Sequence, residues 1–258
     1  MSSLQIRRAL LALVVVAGFM NIGHAADFDQ THAALNPILQ AHVKDGRVSY
    51  ARLKADRTPL DAYLSSLAEV TEAEFRRWPE NERLAFLINL YNATTLQLII
   101  DHYPVGSIKE IGSFLKGPWD QSTVDLFGRT RTLNDLEHKI IRVDYQEPRI
   151  HVALVCAAKG CPPLRNEAYI GDHLEAQLAG QVGLFLANAR KNRVDADHRT
   201  VYLSPIFKWY GEDFEKKSGT VLKALQPYWP KADQENLRKG SFRIRYTDYD
   251  WSLNNRNP

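Results

Sequence analysis

Cysteine is scarce in this chain, with two in 258 residues. Cys156 and Cys161 are separated by four residues and have one nearby histidine, His151. A zinc site needs three or four converging ligands, so neither a metal nor another cofactor is expected. A surplus of charge is also missing. The chain has 33 lysines and arginines against 30 acidic residues. Subtracting Arg7 and Arg8, which fall in an expected leader, leaves 31 against 30, a formal +1. That balance argues against nucleic acid as a partner, and the patch Lys239, Arg243 and Arg245 reads as a solvated strand edge. After Ala9–Met20 no comparable apolar run follows. Internal repeats and low-complexity linkers are absent too, which makes one domain the simplest organisation.

The N-terminus is different in kind. Arg7 and Arg8 precede the apolar run, and Gly23-His-Ala25 supplies small residues of the type a signal peptidase reads. Residues 1–25 are therefore expected to be a signal peptide cleaved after Ala25, the apolar run being too short for a good membrane span. The mature protein is expected in the periplasm or secreted, with no stable membrane insertion. With 45% hydrophobic and 24% charged residues, the rest is globular rather than disordered.

Helical patterning opens the mature chain. A first segment runs from Phe28 to Lys44 and stops at Gly46. Thr58-Pro59 pairs a cap with a proline at the start of a helix to about Ala68. Thr71-Glu-Ala-Glu74 is a capping box. Residues 26–79 thus form an N-terminal helical segment. Pro79 to His102 is the longest predicted helix and is apolar nearly all round. Asn89 and Asn92 interrupt it on one face, either as ties to neighbouring backbone or as groups facing a ligand, with Tyr91 between them. The aromatics of Phe114 to Trp119 either rim a cleft or cover the core. Val124–Leu133 reads as a hairpin around Gly128-Arg129. Asn134-Asp-Leu-Glu137 fits a helix cap, which leaves Glu137 and its neighbour His138 with either a capping role or a role orienting an imidazole.

The stretch from His151 to Arg165 holds both cysteines. Ile150 to Ala158 is nearly continuously apolar and ends at Gly160 and Pro162-Pro163, so it reads as a central strand buried on both faces. On a strand His151 and Cys156 point to opposite faces. They would meet only through a twist, a bulge or the turn at 157–160, whereas Cys161 is free to approach either. Downstream, a helix is predicted over His173–Ala189 and a hairpin from Asn192–Asp195 with Arg199–Leu203. Three helical segments follow, beginning at Ser204-Pro205, Thr220 and Lys231, and then a strand over Ser241–Tyr246. The aromatic tail Tyr249–Leu253 is expected to dock on the body. The mixture indicates an α+β fold, a single domain with helices packed on a small, mostly antiparallel sheet.

Five motifs carry a family resemblance: Asn89-Leu-Tyr-Asn-Ala93, Leu136-Glu-His138, His151–Cys156 with Gly160–Pro163, Leu203–Tyr210 and Tyr249–Ser252. Together they resemble domain of unknown function 547 over about residues 80–254. The resemblance implies a domain of exported bacterial proteins with its polar motifs converging on one pocket, and the matching positions are Asn89, Asn92, Glu137, His138, His151, Cys156 and Cys161. Plant members keep a cysteine at the position of Cys156 but have serine at that of Cys161, a departure that bears on any role for Cys161 across the family. His151-Val-Ala-Leu-Val also resembles the histidine strand of papain-like cysteine proteases, though here the long helix lacks the cysteine those enzymes carry.

Three function classes follow. One is a cysteine-dependent hydrolase or acyl transferase acting on amide or thioester bonds of small peptides. In it Cys156 or Cys161 is the nucleophile, His151 the base, Glu137 or His138 its orienter, and Asn89 or Asn92 a donor to the oxyanion. The second is an inert pocket holding a small molecule or peptide through Asn89, Asn92, Tyr91 and Trp209. The third is a structural Cys156–Cys161 disulfide.

Overall fold

Twenty-three residues from Glu80 to His102 form one helix, and sixteen of them are buried. The all-round apolar pattern predicts this, since no face can be left to water. The helix is long and apolar enough to cross a membrane, but 89% of its most apolar window is buried inside the protein. It is the axis of the larger core. Phe86, fully buried, gathers Phe28, Phe75 and Trp78 around it, and truncating such a ring costs about 3–5 kcal/mol. The computed structural model describes residues 27–256, and the expected signal segment lies outside them.

The N-terminal segments pack against this axis. The first helix is shorter than predicted, Leu35–His42. The Asp29 carboxylate accepts from the backbone N–H groups of Thr31 and Ala33, and His32 takes a left-handed φ of 51°. A turn therefore replaces the expected first helical turns. Thr58–Ala68 is helical with its proline at the start. Thr71 caps Glu72–Phe75 by accepting from the Glu74 N–H, as its sequence predicts.

The strands form three small sheets rather than one. Val43–Lys44 pairs with Arg47–Val48, and Ser122–Leu126 with Arg129–Thr132, both antiparallel. Arg193–Asp195 pairs antiparallel with Thr200–Leu203, which pairs in parallel with Arg243–Tyr246. A second core lies around this last sheet, under the helices Leu174–Leu186, Gly211–Ser218 and Val221–Leu225. The architecture is α+β in a single domain.

The main correction concerns the stretch around His151. Ile150–Ala153 is a helical turn, and the chain then runs extended through Leu154 into a loop. The residues are buried on all sides, as a strand in that position would be, but no neighbouring strand offers a ladder. Arg149 fixes the entry to the turn. Its guanidinium forks onto Glu147 and Glu175, with contacts of 2.6 to 2.8 Å. The side-chain amide of Asn92 supplies the missing ladder, donating to the Ala153 carbonyl at 3.0 Å and accepting from the Val155 N–H at 3.0 Å. With His151 on a helical turn, the papain-like expectation loses the strand it rested on.

The C-terminal tail docks as predicted. Val48 donates to the Asn254 carbonyl, Leu253 to that of Gly106, Asn254 to that of Ala157, Lys159 to that of Ser252 and Gly160 to that of Asp250. It thereby sews two separate segments, around Val48 and Gly106, to the cysteine loop.

Candidate functional site

The cysteine loop turns sharply at Ala157, which holds a left-handed φ of 57°. A non-glycine residue is uncommon there, and the backbone bonds from the tail hold the turn in place. The turn folds Cys161 back onto Cys156, whose backbone N–H donates to the Cys161 sulfur at 2.9 Å. Both cysteines are free thiols, so the expected structural disulfide is not formed. The Tyr249 hydroxyl lies 3.1 Å from the Cys156 sulfur. Its ring lies so close to Gly160 that a Cβ there would sit 2.9 Å from three ring atoms. Glycine at 160 is thus what lets the phenol reach the sulfurs.

The two thiols differ electrostatically. Burial acts to push the Cys161 thiol up, but hydrogen bonds from the Cys156 thiol and backbone N–H and from Tyr249, with the nearby Lys191 charge, outweigh it and hold Cys161 below the ordinary thiol range. Cys156 is pushed well up by its hydrogen bond to Cys161, by burial, and by the negative charge beside it. Tyr249 is raised by burial and by the charge on Cys161, so it stays protonated. Lys191 donates to the Cys161 carbonyl at 2.6 Å. The first proton lost from the pair therefore leaves a thiolate at Cys161 and a thiol at Cys156. Cys161 is 3% exposed and borders a cavity of about 850 Å³, whose walls include Arg47, Lys159, Pro163, Arg190 and Lys191.

His151 belongs to a different cluster. Its Nε2 lies 2.8 Å from Asp213 Oδ2, and its ring stacks on Tyr210 with centroids 3.8 Å apart. Burial holds the imidazole below its usual range, so it is neutral near pH 7. Nε2 then donates to Asp213, leaving Nδ1 buried without a hydrogen-bond partner, 3.9 Å from Glu137 Oε1. Asp213 also accepts from Arg142 at 2.8 Å and Lys216 at 3.2 Å. Burial opposes its ionisation, but these partners hold its carboxyl well below the carboxylate range. His151 makes no hydrogen bond to either sulfur.

The other predicted residues are placed as follows. Glu137 does not cap a helix, because Asn134 is itself helical and makes no capping bond. Glu137 lies instead in a π-helical segment, Asp135–Ile141, buried beside His151 and close enough to Tyr210 for its charge to help raise that phenol. His138 faces outward and accepts from Arg142 at 3.1 Å. Asn89 exchanges two bonds with the Tyr169 backbone, at 2.7 and 3.0 Å. With Asn92 tied to 153–155, both amides are taken up by main-chain groups. Tyr91 is buried between the thiol pair and Glu137, and burial and the Glu137 charge raise it. Trp209 is 48% exposed, its ring 4.9 Å from that of Tyr249 and stacked on Trp251. Phe114 and Leu115 cover no core and are exposed, whereas Trp119 packs against Trp251. Lys191 and Asp213 carry no mark in the sequence, since a solvated-looking lysine and an ordinary amphipathic helix conceal them. Tyr210 and Tyr249 stand in two of the five motifs, but nothing in the sequence assigns them to the histidine or the thiols.

Fold and site together define an α+β protein with two adjacent free thiols, one of them at a cavity wall, and a buried histidine hydrogen-bonded to a half-buried aspartate on another helix. Residues 75–186 match the model of a family described as "Protein of unknown function, DUF547", which agrees with the resemblance carried by the sequence motifs. The match includes Asn89, Asn92, Glu137, His138, His151, Cys156 and Cys161. Tyr210, Asp213 and Tyr249, which complete the two clusters, lie beyond it. Searches of curated proteins and of solved structures each returned no match.

Proposed function

We propose that this is an exported cysteine-dependent hydrolase or acyl transferase acting on amide or thioester bonds of small peptides, with Cys161 as nucleophile. The observation that carries the reading is the Cys156 N–H directed at the Cys161 sulfur at 2.9 Å, in a loop whose other donors also favour a thiolate. A thiolate is the nucleophilic form of cysteine, and lowering its pKa makes that form available near neutrality.

In this mechanism the roles assigned to an imidazole in other cysteine enzymes fall to the second thiol. The Cys161 thiolate attacks the substrate carbonyl carbon, forming a C–S bond. The C–N or C–S bond to the leaving group breaks, and Cys156 gives that group its proton. Water, or an acceptor amine or thiol, then attacks the thioester, Cys156 takes back a proton, and the Cys161 thiolate is expelled. Tyr249 hydrogen-bonds the pair throughout. His151 has a structural role here, bonding Asp213 and stacking on Tyr210, and transfers no proton.

The same contact favours a second reading, thiol–disulfide exchange. The Cys161 thiolate attacks an external disulfide and expels one thiolate, which takes the Cys156 proton; the Cys156 sulfur then attacks Cys161 and displaces the other thiolate, leaving a Cys156–Cys161 bridge. One experiment tests both. Protein is incubated with an N-acetylglycine thioester or with an oxidised aromatic disulfide, quenched in acid, and its mass measured intact. An acyl adduct mapped to Cys161 and absent from Cys161→Ala supports the hydrolase. A loss of two hydrogens with no adduct supports exchange. Neither change sinks both readings.

A further inference from the structure

The cavity beside Cys161 carries a charge pattern that neither the thiol chemistry nor the folding of the loop requires. Its walls hold five cationic side chains against three carboxylates. Lys191 is engaged by the Cys161 carbonyl, and Arg165 by Glu167 and Gln181. The other three, Arg47, Lys159 and Arg190, make no side-chain hydrogen bond or ion pair among the described residues and are exposed at the rim. On the acidic side, Asp250 accepts from the Ser252 hydroxyl and backbone N–H but keeps its charge, which Lys159 and Lys191 favour. With five cationic side chains against three carboxylates, the lining as a whole remains net positive.

The floor has the opposite sign. A thiolate at Cys161 repels an anion placed against it, and nothing in the floor offers an anion a second partner, because the N–H groups of Lys159, Gly160 and Cys161 are all given to carbonyls. A ligand that satisfies both regions presents a neutral carbonyl to the sulfur and carboxylates to the rim. Guanidinium groups bind carboxylates in a bidentate fork. The cavity, about 850 Å³, lies within the range of small-molecule sites, and Ala158, Pro162, Pro163 and Leu164 supply apolar wall for the intervening chain.

We infer that the substrate class is short peptides bearing at least one free carboxylate, bound with the carboxylate at Arg47, Lys159 and Arg190 and the scissile carbonyl toward Cys161. This rests on the reading of Cys161 as nucleophile, and it adds a selection that the thiol alone does not make. Neutral or cationic peptides of the same length lack a partner at the rim. The field there also predicts association that weakens with salt.

The test uses two peptide probes, acetyl-glutamyl-alanyl-glycine with two carboxylates and its neutral isostere, acetyl-glutaminyl-alanyl-glycinamide. Binding to the full chain is measured by calorimetry at low and at moderate salt, and iodoacetamide labelling of Cys161 is followed in the same preparation. The acidic peptide should bind at least tenfold more tightly than the isostere, weaken with salt, and slow the labelling. The Arg47→Gln and Arg190→Gln variants, at exposed positions and with unchanged denaturation midpoints, should each lose several-fold in affinity for the acidic peptide. Equal binding of the two peptides, or no binding of either while Cys161 labels rapidly, overturns this inference and leaves the nucleophile standing. Selective binding of the acidic peptide to protein whose Cys161 labels slowly even without peptide supports the carboxylate site and removes the nucleophile.

Discussion

The backbone N–H of Cys156 donates to the sulfur of Cys161 at 2.9 Å. One cysteine thus stabilises negative charge on the other through both its main chain and its thiol, and the chemical asymmetry of the pair follows from that contact. The sharpest predictions concern it.

Cys161 should react with iodoacetamide in unreduced protein with a pH midpoint below the roughly 8.5 of a free thiol. Tyr249→Phe and Lys191→Met should each move the midpoint upward, by removing a hydrogen bond and a positive charge respectively. Gly160→Ala should do the same indirectly, because its Cβ displaces the Tyr249 ring. Site-resolved mass spectrometry against pH provides the check. Labelling confined to Cys156 would reverse the assignment of nucleophile.

His151→Ala should cost stability and spare the thiol. The ring is 3% exposed, stacks on Tyr210 and bonds Asp213, so its loss should destabilise by about 2–4 kcal/mol. The labelling rate of Cys161 should stay within about twofold, in contrast to a histidine acting as base. Urea denaturation and alkylation kinetics on one sample separate the two effects.

Asn92→Leu should be costly in the same assay. It leaves the Ala153 carbonyl and the Val155 N–H without partners in a buried place, at about 1–3 kcal/mol for each unsatisfied group. A stability loss under about 0.5 kcal/mol would contradict the role of this amide as a substitute strand.

Stability should fall on acidification before the carboxylates titrate. Burial lowers the His32 imidazole from 6.5 to about 4, while its ring bonds the Tyr63 hydroxyl at 2.7 Å. Between those values the unfolded chain binds a proton that the folded one does not, so stability rises with pH from about 4 to 6.5 and is flat above. At one pKa unit to about 1.4 kcal/mol, the contribution approaches about 3 kcal/mol. His32→Gln should flatten that part of the curve, as read by denaturation midpoints at pH 4.5, 5.5 and 7.5.

Export is tested at the N-terminus. Protein recovered from a periplasmic fraction should begin near Ala26. An intact Met1 in the membrane fraction would instead turn Ala9–Met20 into an anchor.

Much of the scaffold is legible in the residues alone. The helix Glu80–His102, the capping box at Thr71, the hairpin at Gly128 and the docked tail each follow from a local rule: apolar periodicity, a cap, a turn residue, or an aromatic cluster too costly to leave in water. The match to the family model over residues 75–186 was likewise legible in motifs that sit in the sequence. The site was legible as a set of residues, because cysteines, histidine and acidic side chains stand out in an apolar stretch, but their partnerships were not. Ile150–Ala158 reads as a strand because burial on all sides produces the same apolar run whether the backbone is extended or turned. Only the Asn92 amide, 61 residues from Ala153, decides which. In the same way the sequence placed His151 near Cys156 in the chain, and the fold joined it to Asp213, 62 residues away, while giving the thiols Tyr249. Local chemistry determines which elements form and which groups must find partners. Which partner each finds depends on contacts between segments distant in sequence, and those exist only once the chain has packed.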